Sequence, residues 1–94
     1  MNHPIILATQ VLDDYANTVL QAFAPLKVAT DMKEATLCRE AAHAIGIVVR
    51  GQAPITAAVI EAAPHLKVIG RTGVGYDTID IAAATRRSIP VVYT

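Results

Sequence analysis

Within a chain of 94 residues, the segment Gly70-Arg71-Thr72-Gly73-Val74-Gly75-Tyr76-Asp77 holds the residue types best suited to binding chemistry. Gly73 and Gly75 permit positive φ, so backbone N–H groups can converge on a bound anion. The same glycines would also serve a plain strand-to-helix turn. As a dinucleotide fingerprint the segment fails. With Gly73 and Gly75 as the first two glycines, Thr78 stands where the third belongs, and the acidic residue expected about 20 positions on would lie beyond Thr94. Arg50 and Arg71 are the cations to consider beside this loop. A guanidinium forms bidentate, charge-assisted bonds to a carboxylate or a phosphate; either arginine could instead be a solvated strand-end charge or a partner of Asp77. His3, His43 and His65 are too dispersed for a metal site. Cys38, with no histidine near it, reads as a small helix-face filler, and Asp13 and Asp14 suit the positive end of a helix dipole.

The elements that must position these residues follow from hydrophobic periodicity. Residues 4–8 contain the continuous apolar run Ile5, Ile6 and Leu7, which predicts a buried strand. Leu12, Ala16, Val19, Leu20 and Phe23 recur at helical spacing over 12–23, and Pro25 ends that helix. A second strand covers 26–29. Asp31 is expected to cap the next helix with Glu34 reaching back as its capping-box partner, and Ala35, Cys38, Ala41 and Ala42 make its narrow small-residue face. Residues 45–49 are hydrophobic at nearly every position and form a third strand. Thr56 is a good N-cap, Ile55 can staple against Ile60, and that helix should run to Ala63 before Pro64 stops it. Residues 66–70 make a fourth strand that delivers Arg71 and the glycine loop to its carboxyl end. Asp77, Thr78 and Asp80 offer acceptors to a last helix over 81–87, and residues 90–93 close as a fifth strand.

Five strands alternating with four helices predict an α/β fold, a flavodoxin-like three-layer sandwich around a five-stranded parallel sheet of order 2-1-3-4-5, covered on both faces. Ligands in such sheets gather outside the carboxyl ends of the strands near the point where strand order reverses, which directs attention to the loops after strands one, three and four. Eight Lys and Arg balance eight Asp and Glu, with no cluster of cations, so neither nucleic acid nor an anionic membrane surface is an expected partner. The composition is 53% apolar but carries no Trp and one Phe, so the core must be built from small and β-branched side chains. One cysteine excludes an internal disulfide, no apolar run approaches the roughly 20 residues of a membrane helix, and a reducing cytoplasm is the expected setting.

The segment Val48-Val49-Arg50-Gly51, the run from Ile55-Thr56 through Ala62-Ala63-Pro64-His65-Leu66 to Asp77-Thr78-Ile79-Asp80, and Ile89-Pro90-Val91-Val92 resemble the substrate-binding domain of D-isomer-specific 2-hydroxyacid dehydrogenases, most closely the D-3-phosphoglycerate dehydrogenase branch. The resemblance is nearly continuous from Ile47 onward and one of pattern before Ile45. It implies one of two similar α/β domains flanking a cleft, with the nicotinamide cofactor, NAD, resting mainly on the other. By position, Gly73, Val74 and Gly75 would hold the substrate carboxylate, Val74 would lie near the nicotinamide, and Arg50 and Arg71 would help hold an anionic substrate. Three positions depart from the family pattern: Gly51 stands where Ser is common, Ser88 where a helix-ending Gly is usual, and Tyr93 where an Asn is familiar.

The reaction so implied is reversible hydride transfer at C2 of a 2-hydroxy acid, with a His and Glu pair moving the proton. Residues 1–94 would form the substrate-binding domain of a partial enzyme. The dinucleotide-binding half and the proton-moving residues would lie outside it, so the chain alone is expected to be inactive, to bind NAD weakly at most and 2-hydroxy or 2-keto acids weakly. An apolar face left for another helix makes a homo-oligomer a further expectation. The rival reading is a non-catalytic regulatory or interaction module of the same fold. A phosphate-accepting receiver is disfavoured by Thr9-Gln10 and Arg50 where acids are needed, and a flavin carrier by the lack of a glycine-rich loop after the first strand.

Overall fold

The computed structural model describes residues 4–72 and 78–93. Five strands, β1 (Ile5–Ala8), β2 (Leu26–Val28), β3 (Ala44–Val49), β4 (Val68–Arg71) and β5 (Val91–Tyr93), pair in parallel in the order β2-β1-β3-β4-β5. Between them run α1 (Asp14–Gln21), α2 (Glu34–Glu40), α3 (Ala57–Glu61) and α4 (Ile81–Arg86), with a turn of 3₁₀ helix at Ala41–His43 after α2. Class, strand number and order are those read from the sequence, because each β-branched run is followed by a helix long enough to cross back over the sheet.

Alternation along the strands divides the side chains between two unequal faces. Leu7, Ile47, Val49 and Ile69 face α2, α3 and α4 and pack with Leu37, Val59, Ile60 and Ala84 in one fully buried core. Gly46, Val48, Val68 and Gly70 face the other way, toward α1. Helices lie on both faces, as expected, but they cover them unequally. Among the described residues α1 is the single helix on its face, and a cleft of about 450 Å³ opens beside it, lined by Ile6, Leu20, Phe23, Gly46, Val48 and Val68. Phe23 is 78% exposed and Val92 52%. The apolar stripe assigned to the first helix is therefore only partly used: Leu12 is buried ahead of the helix, Ala16 and Leu20 are half-buried, and Val19 faces solvent.

Local chemistry accounts for the helix ends. Asp13 caps α1 by accepting from the Ala16 N–H at 2.8 Å, and Asp80, of the three acceptors considered, caps α4 through the Ala83 N–H at 3.0 Å. The expected capping box on the second helix does not form. That helix starts at Glu34, three residues past Asp31, whose carboxylate instead accepts the Lys33 N–H at 2.8 Å in a turn. Glu34 is drawn away to accept from the Thr56 hydroxyl at 2.5 Å, joining α2 to the start of α3. The shifted start also turns the helix: Thr36, Leu37 and Ala41 face inward, Cys38 is half-buried, and Ala35 is exposed. The third helix ends at Glu61 rather than Ala63, and Ala62 caps it. A contact absent from the sequence reading ties the entries of α3 and α4 together: Ile55 bridges Ile79, with Ile55 N–H donating to the Thr78 carbonyl at 3.1 Å and Asp80 N–H to the Ile55 carbonyl at 2.9 Å.

Candidate functional site

Strand order reverses between β1 and β3, and the residues just past their carboxyl ends are Thr9 and Arg50. Thr9 is buried and its hydroxyl works in both directions: it accepts from the Arg50 N–H at 2.8 Å and donates to the Arg50 carbonyl at 2.8 Å. This stitch closes the gap between the diverging strands and satisfies backbone groups that neither ladder reaches. A ligand at this edge must therefore lie over the strand ends rather than between them.

The two arginines identified from sequence both lie at this rim, but on different sheet faces. Arg71 ends β4 as the register partner of Val49, so it shares the face of the main core and is only 4% exposed. A guanidinium so placed needs acceptors, since it cannot lose its charge; its Nη1 donates to the Gly51 carbonyl at 2.9 Å. Arg50, one residue past Val49, turns toward the opposite side, where its Nη1 donates to the Val11 carbonyl at 2.9 Å. Residue parity separates them: positions 49 and 71 match in register and 50 does not. The two guanidinium groups are therefore held by different carbonyls, Val11 and Gly51, although both residues border one cleft. Gly51 itself has φ of +79°, a conformation that side-chain-bearing residues rarely adopt.

After β4 the chain continues its ladder, with the Thr72 N–H donating to the Val49 carbonyl at 3.0 Å, and then enters the glycine loop. Gly73, Val74 and Gly75, the expected anion cradle, lie outside the described residues, as does Asp77. Beside this edge a cleft of about 530 Å³ is lined by Leu12, Tyr15, Val48, Arg50, Arg71 and Thr72 among others. A second, more open hollow of about 680 Å³ lies across β1 and β2, bordered by Gln10, Val11, Thr30, Asp31, Met32 and Arg50 among others. Arg50 borders both. The Lys33 N–H and then the Thr36 hydroxyl hold the Asp31 carboxyl below its ordinary value, so the far wall of the second hollow is anionic at neutral pH.

The pyrophosphate of a dinucleotide binds at a glycine turn that opens onto a free helix N-terminus at the strand ends. Here Asp13 fills that place at α1, Asp80 at α4, and at α3 the Thr56 cap carries the Glu34 carboxylate. No group of three or more metal-ligating side chains occurs among the described residues, and none of their helices is long and apolar enough to cross a membrane. His43 and His65 are exposed, and Cys38 is a free, half-buried thiol. Thr9 and Gln10 were missed as rim residues. The available signal was two polar side chains directly after a continuous apolar strand, at the place where strand order was expected to reverse.

Comparison with known proteins converges on one group. The sequence profile of the D-isomer specific 2-hydroxyacid dehydrogenase catalytic domain matches residues 5–94. The chain is 41% identical over 88 residues to D-3-phosphoglycerate dehydrogenase of Archaeoglobus fulgidus, covering 94% of this chain and 17% of that one. Its fold matches a crystal structure of the PH0520 protein from Pyrococcus horikoshii with a TM-score of 0.86 at 29% identity, over 100% of this chain and 28% of the other. It also matches the NAD+-bound 3-phosphoglycerate dehydrogenase of Entamoeba histolytica with a TM-score of 0.80 at 26% identity, over 100% of this chain and 33% of that one. The chain thus spans about a sixth of the curated relative and about a third or less of the two solved structures.

Proposed function

Because the chain belongs to the D-isomer specific 2-hydroxyacid dehydrogenase family and carries its substrate-binding domain, we propose that residues 1–94 form one wall of a cleft that holds the carboxylate of a 2-hydroxy or 2-keto acid for NAD-dependent oxidation and reduction at C2. The other wall is a dinucleotide-binding domain, which takes the cofactor. A cytoplasmic, phosphoglycerate-type oxidoreductase is the parent activity.

The observation that supports this reading best is the placement of Arg50, Arg71 and the entry to the glycine loop at the carboxyl ends of two adjacent strands. In it, backbone N–H groups of Gly73 and Gly75 donate to the substrate carboxylate, with Val74 toward the nicotinamide. Arg50 supplies positive charge from the rim. It keeps one guanidinium nitrogen on Val11 and has Nε and Nη2 to offer. Arg71 acts as a positioning residue, holding Gly51 from below while its charge raises the potential of the site. Backbone donors held by packing bind an anion without the reorganisation that water requires. In this reading the hydride acceptor and the group that moves the hydroxyl proton belong to the other wall.

Titration of the 94-residue chain with D-lactate and pyruvate, followed by ¹⁵N–¹H spectra, tests the site: the amides of Gly73 to Gly75 are expected to shift with both acids, at millimolar concentration. Silence there removes the assignment. NAD-dependent turnover by the purified chain would overturn the division of labour between the two domains.

A further inference from the structure

Gly51 lacks a side chain, and the space where one would begin is already taken. A Cβ built on Gly51 would meet Gln10 Nε2 at 2.9 Å, Cδ at 3.2 Å and Oε1 at 3.4 Å, so the carboxamide of Gln10 occupies the space beside the Gly51 Cα. Gly51 is itself held from two sides, by its φ of +79° and by the hydrogen bond from Arg71 to its carbonyl. Gln10 is anchored through its neighbours: Thr9 is stitched to Arg50, and Val11 accepts from the Arg50 guanidinium. Neither polar atom of this carboxamide has a hydrogen-bond partner among the described residues. The carboxamide of a half-buried residue, with neither end bonded among the described residues, and a guanidinium that has used one nitrogen at the same rim offer a donor pair to an oxyanion.

Both groups border the open hollow of about 680 Å³ beyond β1, whereas the glycine loop begins on the other side of Arg50, after β4. A substrate whose carboxylate lies at that loop and whose chain extends along the rim presents its far end to Arg50 and Gln10. The Asp31 carboxylate borders the same hollow and repels an anion near it, which favours the Arg50 and Gln10 side. We infer that Gln10 is a specificity-determining residue, its carboxamide on Gly51 donating to an anionic group, such as a phosphate, at the end of the substrate distant from the carboxylate. This inference rests on the proposed function and goes beyond it by assigning that end of the substrate to Gln10.

D-3-phosphoglycerate and D-lactate share the 2-hydroxy acid end and differ in the distal phosphate, so the pair isolates the effect. In ¹⁵N–¹H spectra of the 94-residue chain, the Gln10 side-chain amide, assigned by its loss in Gln10→Leu, should shift with D-3-phosphoglycerate and stay in place with D-lactate. The amides of Gly73 to Gly75 should respond to both. Gln10→Leu keeps the bulk over Gly51 and removes the donors; it should weaken D-3-phosphoglycerate about three- to tenfold and leave D-lactate within about twofold. Gly51→Ala, which pushes the carboxamide off its seat, should produce the same selective loss. A Gln10 amide that ignores D-3-phosphoglycerate while the loop responds, or equal affinities in Gln10→Leu and the parent, overturns the inference and spares the proposed function. A loop that responds to neither acid overturns both.

Discussion

Ser88 sits at φ +57°, in the left-handed region that glycine occupies without cost. It ends α4 in a Schellman arrangement: the Ser88 N–H donates to the Thr85 carbonyl at 2.9 Å and the Ile89 N–H to the Ala84 carbonyl at 2.9 Å, while Ile89 and Ala84 are both buried. The hydrogen bonds require the conformation and the side chain resists it, so the sequence's departure from a helix-ending glycine leaves strain in the fold. Ser88→Gly is therefore expected to stabilise the chain by about 0.5–1 kcal/mol, part of the relief being lost to the greater freedom of glycine in the unfolded state. The midpoint of urea denaturation measures it; an unchanged or lower midpoint would show the turn to be unstrained. Gly51 presents the opposite case, a glycine whose positive φ the chain does need. Arg71 helps hold that glycine, its buried guanidinium donating to the Gly51 carbonyl.

At the scale of elements, the join between β2 and α2 depends on a carboxylate. Glu40, at the end of α2, accepts from the Thr30 N–H at 3.0 Å and the Thr30 hydroxyl at 2.6 Å, with Lys27 Nζ 3.8 Å away. The Thr30 hydroxyl, then its N–H, hold the carboxyl below the ordinary glutamate value of 4.5, with Lys27 adding a smaller pull. A group whose folded value is depressed contributes stability in full above about 4.5 and loses it as pH falls through the folded value. Between pH 6 and pH 3 the parent chain should thus lose more stability in urea than Glu40→Gln does; equal losses would place the acid sensitivity elsewhere. The helices were legible from capping residues and spacing, but Glu34 was not. A carboxylate at the start of a helix is equally a capping-box partner or a tertiary acceptor, and only the approach of Thr56 on the next helix selects the second.

Among the described residues one sheet face is sealed by three helices and the other is only partly covered, by α1. Val68, Val92, Phe23 and Tyr15 leave an apolar surface exposed around α1 and the sheet, larger than scattered surface hydrophobics require. The folded chain is accordingly expected to bind the apolar dye ANS in native conditions and to self-associate as concentration rises. Phe23→Ser combined with Val92→Thr should reduce both with little effect on stability, since both side chains are exposed. Sedimentation at several concentrations and dye fluorescence read the outcome, and a dye-silent monomer would show that the open face is too small or too broken to act as a surface.

Hydrophobic period and turn residues pointed to the parallel sheet and to the rim that carries Arg50 and Arg71, its strand order was the one expected of that fold type, and the resemblance of the run from Ile47 onward pointed to the family. Those features depend on neighbours in sequence and on which side of a strand or helix is apolar. Which way each arginine turns, the seat of Gln10 on Gly51, the two-way stitch from Thr9 to Arg50 and the uncovered sheet face were decided only when residues far apart in the chain came together. The physical reason is that a polar side chain has several partners of nearly equal value within its own segment, and the choice among them is made by the register of strands and the approach of elements that local sequence does not encode.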